Sequence, residues 1–324
     1  MTIALYVLFT LSLFCPIYTY ALYPLILRFL KGKEYISEEI KPPVSVIVVG
    51  KDTAEKVNNI QQCDYPEIEI IEGGYGDTNK VKGEIIVFTD TKTKLDLAAI
   101  GEIVKPFADE QVGAVVGQQT NPEGNSAFWK YENLVKRLES RIGCVSGANE
   151  SLLAIRKNDM PEVPSNVLNK PFYIVTKITE TGRAVIFHEN AKAYEGKTEG
   201  VNFKKHVEDA AGYWQALVLF PKMLLPQRVN FVYISHRVLK WFVWMNLLFI
   251  LITSGVLAVK GVVLMTVLFN IQIVTYLIFL TLGRRNIGGV IGKLLNIGHY
   301  FTMFNISFFL GLRINKNVSS IDGK

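Results

Sequence analysis

Four long stretches of the chain carry no charged side chain: Thr2–Leu27, Trp241–Val259, Gly261–Gly283 and Leu294–Leu312. A helix rises about 1.5 Å per residue and the hydrocarbon layer of a bilayer is about 30 Å thick, so about 20 apolar residues reach across it. Each stretch is therefore read as a membrane span, the last one interrupted by Asn296, His299 and Asn305. The first is too long for a secretory signal and lacks the basic start and small-residue cleavage site of one, so it is expected to be a retained anchor.

Between the first and second stretches the period changes. Val44–Val49 is a short β-branched run that fits a strand buried on both faces, as in a parallel sheet. Further strands are expected at Glu67–Ile71, Glu84–Thr89, Val112–Val116, Ser151–Ile155 and Ala184–Phe187. Helical spacing falls on Thr53–Gln62, Leu95–Phe107, Ser126–Ile142, Phe172–Glu180 and Asn202–Leu219. Alternating strands and helices predict a doubly wound, mostly parallel α/β domain. Leu217–Val232 is apolar but broken by Pro221, Lys222, Pro226 and Arg228, a mixture suited to the membrane interface.

Charge adds an orientation. The net charge is +6, and Arg28, Lys31, Lys33, Arg237, Lys240, Arg284 and Arg285 flank the apolar stretches. Basic residues at span ends favour the cytosol, which places 34–240 inside. Four spans would then leave Arg313, Lys316 and Lys324 on the far side, unless the last stretch is re-entrant. The polar domain has no basic stripe with interleaved aromatics, so no nucleic-acid partner is expected. Cys15, Cys63 and Cys144 are far apart and form no CxxC pair, which argues against a metal cluster or a disulfide framework. The expected layout is a 1–33 anchor, a 34–212 cytosolic domain, a 213–240 interfacial segment and 241–324 with about three transmembrane helices.

Several stretches, in order, resemble the family 2 glycosyltransferases. Pro42–Val49 is similar to their opening strand. Gly83–Asp90 followed by Leu95-Asp96 resembles the strand that carries their DxD motif, and Phe107–Gly117 the segment after it. Tyr131-Glu-Asn, Leu138–Gly143 and Gly147–Arg156 resemble their acceptor-side helix and loop. Gly182–Phe187 and Ala191–Glu195 are similar to the strand after the catalytic base. The resemblance implies a GT-A-like fold, a nucleotide-sugar donor, Mg2+ or Mn2+, and a lipid or glycan acceptor at the membrane face. It also implies donor binding by Glu72 and Asp90, a metal at Asp90, and acceptor contacts from Gly147, Ala148 and Asn149; Lys92 is added to the donor site as a charge for phosphate, a departure from the family.

The chemistry of sugar transfer needs more acid than these positions hold. Inverting transfer requires a base for the acceptor hydroxyl and positive charge on the leaving diphosphate, usually a carboxylate-held metal. Lys92 stands where the second DxD acid is expected, and an ammonium there repels a divalent cation. Lys92 and Lys94 either contact phosphate as point charges or belong to a drifted loop. Lys170 and Pro171 occupy the places of the acidic pair before a helix, and neither is an ordinary base at neutral pH. Glu150 is the one substitute base, with a solvated loop acid as the alternative.

Ile71–Asp77 retains Glu72, but Gly73 replaces its acidic neighbour. Gly73–Gly83 is only 11 residues long, room for a bare return without an extra strand. The Gly-Gly-Tyr-Gly run either cradles phosphate or is turn chemistry. Lys204, Lys205 and His206 face either diphosphate and lipid headgroups or solvent. His299 is a functional polar group of a span or hydrogen-bonds a neighbouring helix. Two functions follow: a pseudo-glycosyltransferase that acts as scaffold or regulatory partner, including of another glycosyltransferase, or an active transferase with Glu150 as base.

Overall fold

The computed structural model describes residues 2–120, 127–195, 203–225, 227–283, 285 and 287–319, with the side chains of 127–129, 228–229 and 314–319 left aside. The expected helix starts at Ser126 and Asn202, the side chains of Phe128, Trp129, Arg228 and Lys316, and residues Arg284 and Lys324 lie outside the described residues. The helices are α1 (Thr2–Ile17), α2 (Tyr23–Phe29), α3 (Ala54–Gln61), α4 (Ala99–Val104), α5 (Ala127–Ser140), α6 (Lys170–Glu180), α7 (Phe203–Leu219), α8 (Arg228–Val232), α9 (Leu239–Trp241), α10 (Val243–Val259), α11 (Val263–Leu282) and α12 (Gly289–Ser319). The strands are β1 (Val44–Val49), β2 (Ile68–Gly73), β3 (Ile85–Asp90), β4 (Thr93–Leu95), β5 (Val112–Thr120), β6 (Leu153–Arg156) and β7 (Ala184–Glu195). They fall into two compact units, one of 1–26, 200–224 and 233–324, the other of 27–199 and 225–232.

The second unit is built on one sheet in the order β2-β1-β3-β6-β5-β7-β4. β1 pairs parallel with β2 and β3, and β5 parallel with β7; β6 runs antiparallel to β3 and β5, and β4 antiparallel to β7. Five of the seven strands thus point the same way, so their C-terminal ends share one edge. Alternate residues feed the two faces. Val46, Val48, Val87, Val115 and Ile186 share a fully apolar core with Ile60, Cys63, Ile100, Ile103 and Val104 from the α3 and α4 side. On the opposite face Ile178 of α6 and Lys136 of α5 pack against Gly113 and Phe187 of the sheet.

The return from β2 to β3 is as bare as the residue count requires. A short 3-10 turn, Asp77–Lys80, leads through buried Val81 back to β3, and β2 is an edge strand. The backbones come so close that a Cβ on Gly83 would stand 2.6 Å from the Ser45 nitrogen, so only glycine fits there.

In the other unit α1 packs on α10, α10 on α11, and α12 on both α7 and α11. Thr2–Phe29 and Val263–Leu282 are each long and apolar enough to cross a membrane. Asn230–Trp241 with Val243–Val259, bent by 51°, makes a third if the pair is one span. Two or three such helices thus stand against the four spans expected from the sequence. Leu294–Leu312 is the middle of the 31-residue α12, which is not among them. Of its polar residues Asn296 is exposed, whereas His299, Thr302 and Asn305 are buried, and His299 Nδ1 lies 3.0 Å from the Phe279 carbonyl of α11. A Cβ on Gly311 would sit 2.8 Å from the Ala211 nitrogen of α7, and Trp214 Nε1 donates to the Phe308 carbonyl at 2.9 Å.

Candidate functional site

The shared edge of strand ends gathers most of the residues that the resemblance selects. Register places Val49 of β1 between Gly73 of β2 and Asp90 of β3, with Glu72 one residue behind. On the other side of β3, Thr89 Oγ1 donates to the Ser151 carbonyl at 2.8 Å, which fixes the 147–152 loop beside Asp90. Asn149 Nδ2 reaches Gln119 Oε1 at 2.5 Å at the end of β5. Asp90, Glu150, Asn149 and the end of β2 therefore lie together at this edge, where an open α/β sheet offers its crevice. Gly50 closes the floor after β1: its φ is +136°, and a Cβ there would stand 2.8 Å from Thr91 Oγ1.

Asp90 is already engaged. Its Oδ1 accepts from the Lys92 and Thr93 nitrogens at 3.0 and 2.9 Å and from Thr93 Oγ1 at 2.9 Å, so this oxygen closes the turn into β4. Below that turn lies Lys56 of α3, 3% exposed, its Nζ donating to the Thr93 carbonyl at 2.5 Å. Burial pushes the Lys56 ammonium down to about 8, while the charges of Asp90 and then Cys63 pull it back up. Asn59, one helical turn on, brackets Leu95 with two bonds: its Nδ2 to the carbonyl at 3.1 Å and its Oδ1 from the nitrogen at 2.7 Å. Lys56 and Asn59 went unnoticed in the sequence. The available signal was their spacing, since Lys56, Asn59, Ile60 and Cys63 repeat at i, i+3, i+4 and i+7 on the buried face of a short helix.

The remaining positions are less acidic still. Glu72 is exposed and accepts from the Thr53 hydroxyl. Asn169 caps α6 by accepting from the Phe172 nitrogen at 3.1 Å, so Lys170 and Pro171 begin that helix. Ile178 packs at Gly113, the start of β5, which turns the first turn of α6 toward the crevice edge. His188 belongs to a different set, with Nε2 at 3.0 Å from Glu102 Oε2. Among the described residues no three His, Cys, Asp or Glu side chains are grouped to hold a metal ion.

Carboxylate-held Mg2+ or Mn2+ does not fit this set of donors. One acid of the expected pair is lysine, the other has its Oδ1 committed to three donors of its own turn, and a buried ammonium lies beneath it.

Tyr75 completes the crevice. It is 5% exposed, and its ring stacks on Phe88 of β3 at 4.7 Å with 24° between planes. Burial, with the charges of Glu150 and Asp90 adding, raises its phenol well above the usual tyrosine range. The Gly-Gly-Tyr-Gly run is a turn, stapled by Asp77 Oδ2, which accepts from the Gly74 nitrogen at 2.9 Å.

No protein-family model matches the sequence, and no curated protein matches it. Solved structures do. A mannosyltransferase from Pyrobaculum calidifontis, in complex with GDP-Man and Mn2+, superposes with a TM-score of 0.74 at 16% identity, covering 97% of this chain and 99% of that one. Mannosyl-3-phosphoglycerate synthase from Rubrobacter xylanophilus (TM-score 0.41, 10% identity, 59% and 78% covered) is also similar, as is GalNAc-T7 with UDP, GalNAc and Mn2+ (0.36, 11%, 56% and 48%). With the sheet order and crevice described above, the first of these superpositions shows that the chain has the GT-A fold of glycosyltransferases.

Proposed function

We propose that the chain is a membrane-bound, family 2-like glycosyltransferase fold that has lost metal-dependent sugar transfer and serves as a scaffold or regulatory partner. The observation that carries this reading is the state of Asp90. Its Oδ1 accepts three hydrogen bonds from its own turn, Lys92 replaces its acidic partner, and Lys56 supplies a positive charge from within the protein. The loss at Lys170 and Pro171 is independent of that. A missing cation site and a missing base each cost orders of magnitude in rate.

The solved mannosyltransferase of the same fold is in complex with GDP-Man and Mn2+, so a nucleotide-sugar is the ligand to test. The flanking basic residues support a multi-pass protein with the α/β unit in the cytosol, where it meets membrane lipid, a lipid or glycan acceptor, or a partner glycosyltransferase. The test is calorimetry and donor hydrolysis with GDP-mannose and UDP-sugars, with and without Mn2+ or Mg2+, on the full chain in detergent. Neither metal-dependent binding nor hydrolysis is expected. Turnover that requires Mn2+ and is abolished by Glu150→Gln would establish the opposite reading, an active transferase with Glu150 as base.

A further inference from the structure

Packing explains the ring of Tyr75 but not its hydroxyl. A side chain that merely covers Phe88 needs a ring and no hydroxyl. The Tyr75 hydroxyl is buried and, among the described residues, has no hydrogen-bond partner. A buried unpartnered hydroxyl costs stability that phenylalanine at the same place would avoid. The strap that holds it is equally over-supplied with freedom. Gly74 and Gly76 have nothing within 4 Å of a Cβ and neither takes a left-handed φ, so the conformation seen does not call for glycine at either place. The strap is fastened by the Asp77 bond to Gly74 and by the exposed Lys80–Asp77 ion pair at 2.6 Å.

The surroundings say what would fit in place of the Tyr75 ring. The floor is the flat face of Phe88, at stacking distance. The loop carrying Glu150 and the end of β3 carrying Asp90 are joined at one side through Thr89 and Ser151, so carboxylate acceptors stand beside the slot. A flat ring on an aromatic floor, with hydrogen-bond donors directed at carboxylates, describes a nucleoside and disfavours a bare diphosphate. We infer that the Phe88 slot is a nucleoside site and that Tyr75 is its intramolecular occupant, which must swing out on the Gly73–Gly76 strap before a nucleoside enters. This rests on the reading of a crevice without metal-dependent catalysis, and goes beyond it by explaining why a nucleotide is excluded before any chemistry could begin.

The test compares wild type with Tyr75→Ala and Tyr75→Phe, as full chains in detergent, for binding of guanosine, uridine, GDP and UDP by calorimetry. Tyr75→Phe keeps the stopper and removes the orphan hydroxyl, so it controls for folding and is expected to bind as wild type does. A stopper that occupies the slot nearly always weakens apparent affinity by its own occupancy, so Tyr75→Ala is expected to bind a nucleoside at least about tenfold more tightly than wild type. Equal affinity in wild type and Tyr75→Ala, or no binding by either at millimolar nucleoside, overturns the stopper and leaves the loss of catalysis standing. Weaker binding by Tyr75→Ala than by wild type also overturns it, making Tyr75 a stacking partner instead. Mn2+-dependent hydrolysis of a nucleotide-sugar by wild type overturns the functional reading, whatever Tyr75 does.

Discussion

Replacing Lys56 by methionine tests the central electrostatic arrangement directly. The substitution keeps most of the apolar stem and removes the ammonium that lies under the β3–β4 turn. Lys56 is held down to about 8 against an ordinary 10.5, chiefly by burial. A folded value below the unfolded one means that the unfolded chain binds more protons between the two. Stability therefore rises with pH across that window, from about 8 to about 10.5. The full lowering corresponds to about 3 kcal/mol, and the part that falls between pH 7.5 and 10 is about 2 kcal/mol.

Methionine does not titrate, so the variant lacks this rise. Other buried groups pull the opposite way: burial raises Cys63 to about 11 and Tyr65 to about 12, and these lose stability as pH climbs past their unfolded values. They are common to both proteins and largely cancel in the difference, except that Cys63 loses the nearby Lys56 charge. Urea unfolding of wild type and Lys56→Met in the same micelles, at pH 7.5 and pH 10, gives the quantity needed. Wild type is expected to gain about 2 kcal/mol on the variant between the two pH values. A difference that stays flat with pH, or moves toward the variant, would refute the placement of a buried ammonium beneath Asp90.

Two further substitutions probe the supports of each unit. Asn59→Ala removes both bonds that bracket Leu95, leaving a buried carbonyl and a buried nitrogen unpaired; a loss of about 2–4 kcal/mol is expected in urea unfolding, with faster hydrogen exchange confined to 93–95 and its neighbours. Gly311→Leu forces a side chain against the α7 backbone, where even a Cβ would stand 2.8 Å from the Ala211 nitrogen. It is expected to cost more than about 2 kcal/mol and to lower the thermal midpoint in detergent, whereas an exposed change such as Val290→Leu leaves it in place.

Much of the α/β unit was written in simple periodicities. Val44–Val49 announces a strand covered on both faces, and it is an interior strand of the sheet, between β2 and β3. The count from Gly73 to Gly83 predicts a return without an extra strand, and β2 is indeed the sheet edge. What escaped was whatever depends on a partner distant in sequence. β4 is only Thr93–Leu95, too short to show a period, and it exists because the far end of β7 pairs with it. Lys94, read as a phosphate contact or loop residue, is one of its three residues.

The fate of α12 shows the same limit from the apolar side. An uncharged window measures what a segment lacks, whereas a membrane span is decided by what surrounds it. Asn296, His299 and Asn305 read as interruptions of the stretch; Asn296 is exposed, but His299 and Asn305 are buried together with Thr302 between them, His299 bonding the Phe279 carbonyl. Polar residues recurring at three-residue intervals mark a face turned to other helices, because lipid offers them no partner. Weighing that periodicity against the absence of charge would have counted α12 as a packed helix, and the same weighing of Lys56 with Asn59 would have found the clamp under Asp90. In both units the informative residues are polar side chains on buried faces, and Lys56, Asn59 and His299 are each held there by a backbone group distant in sequence.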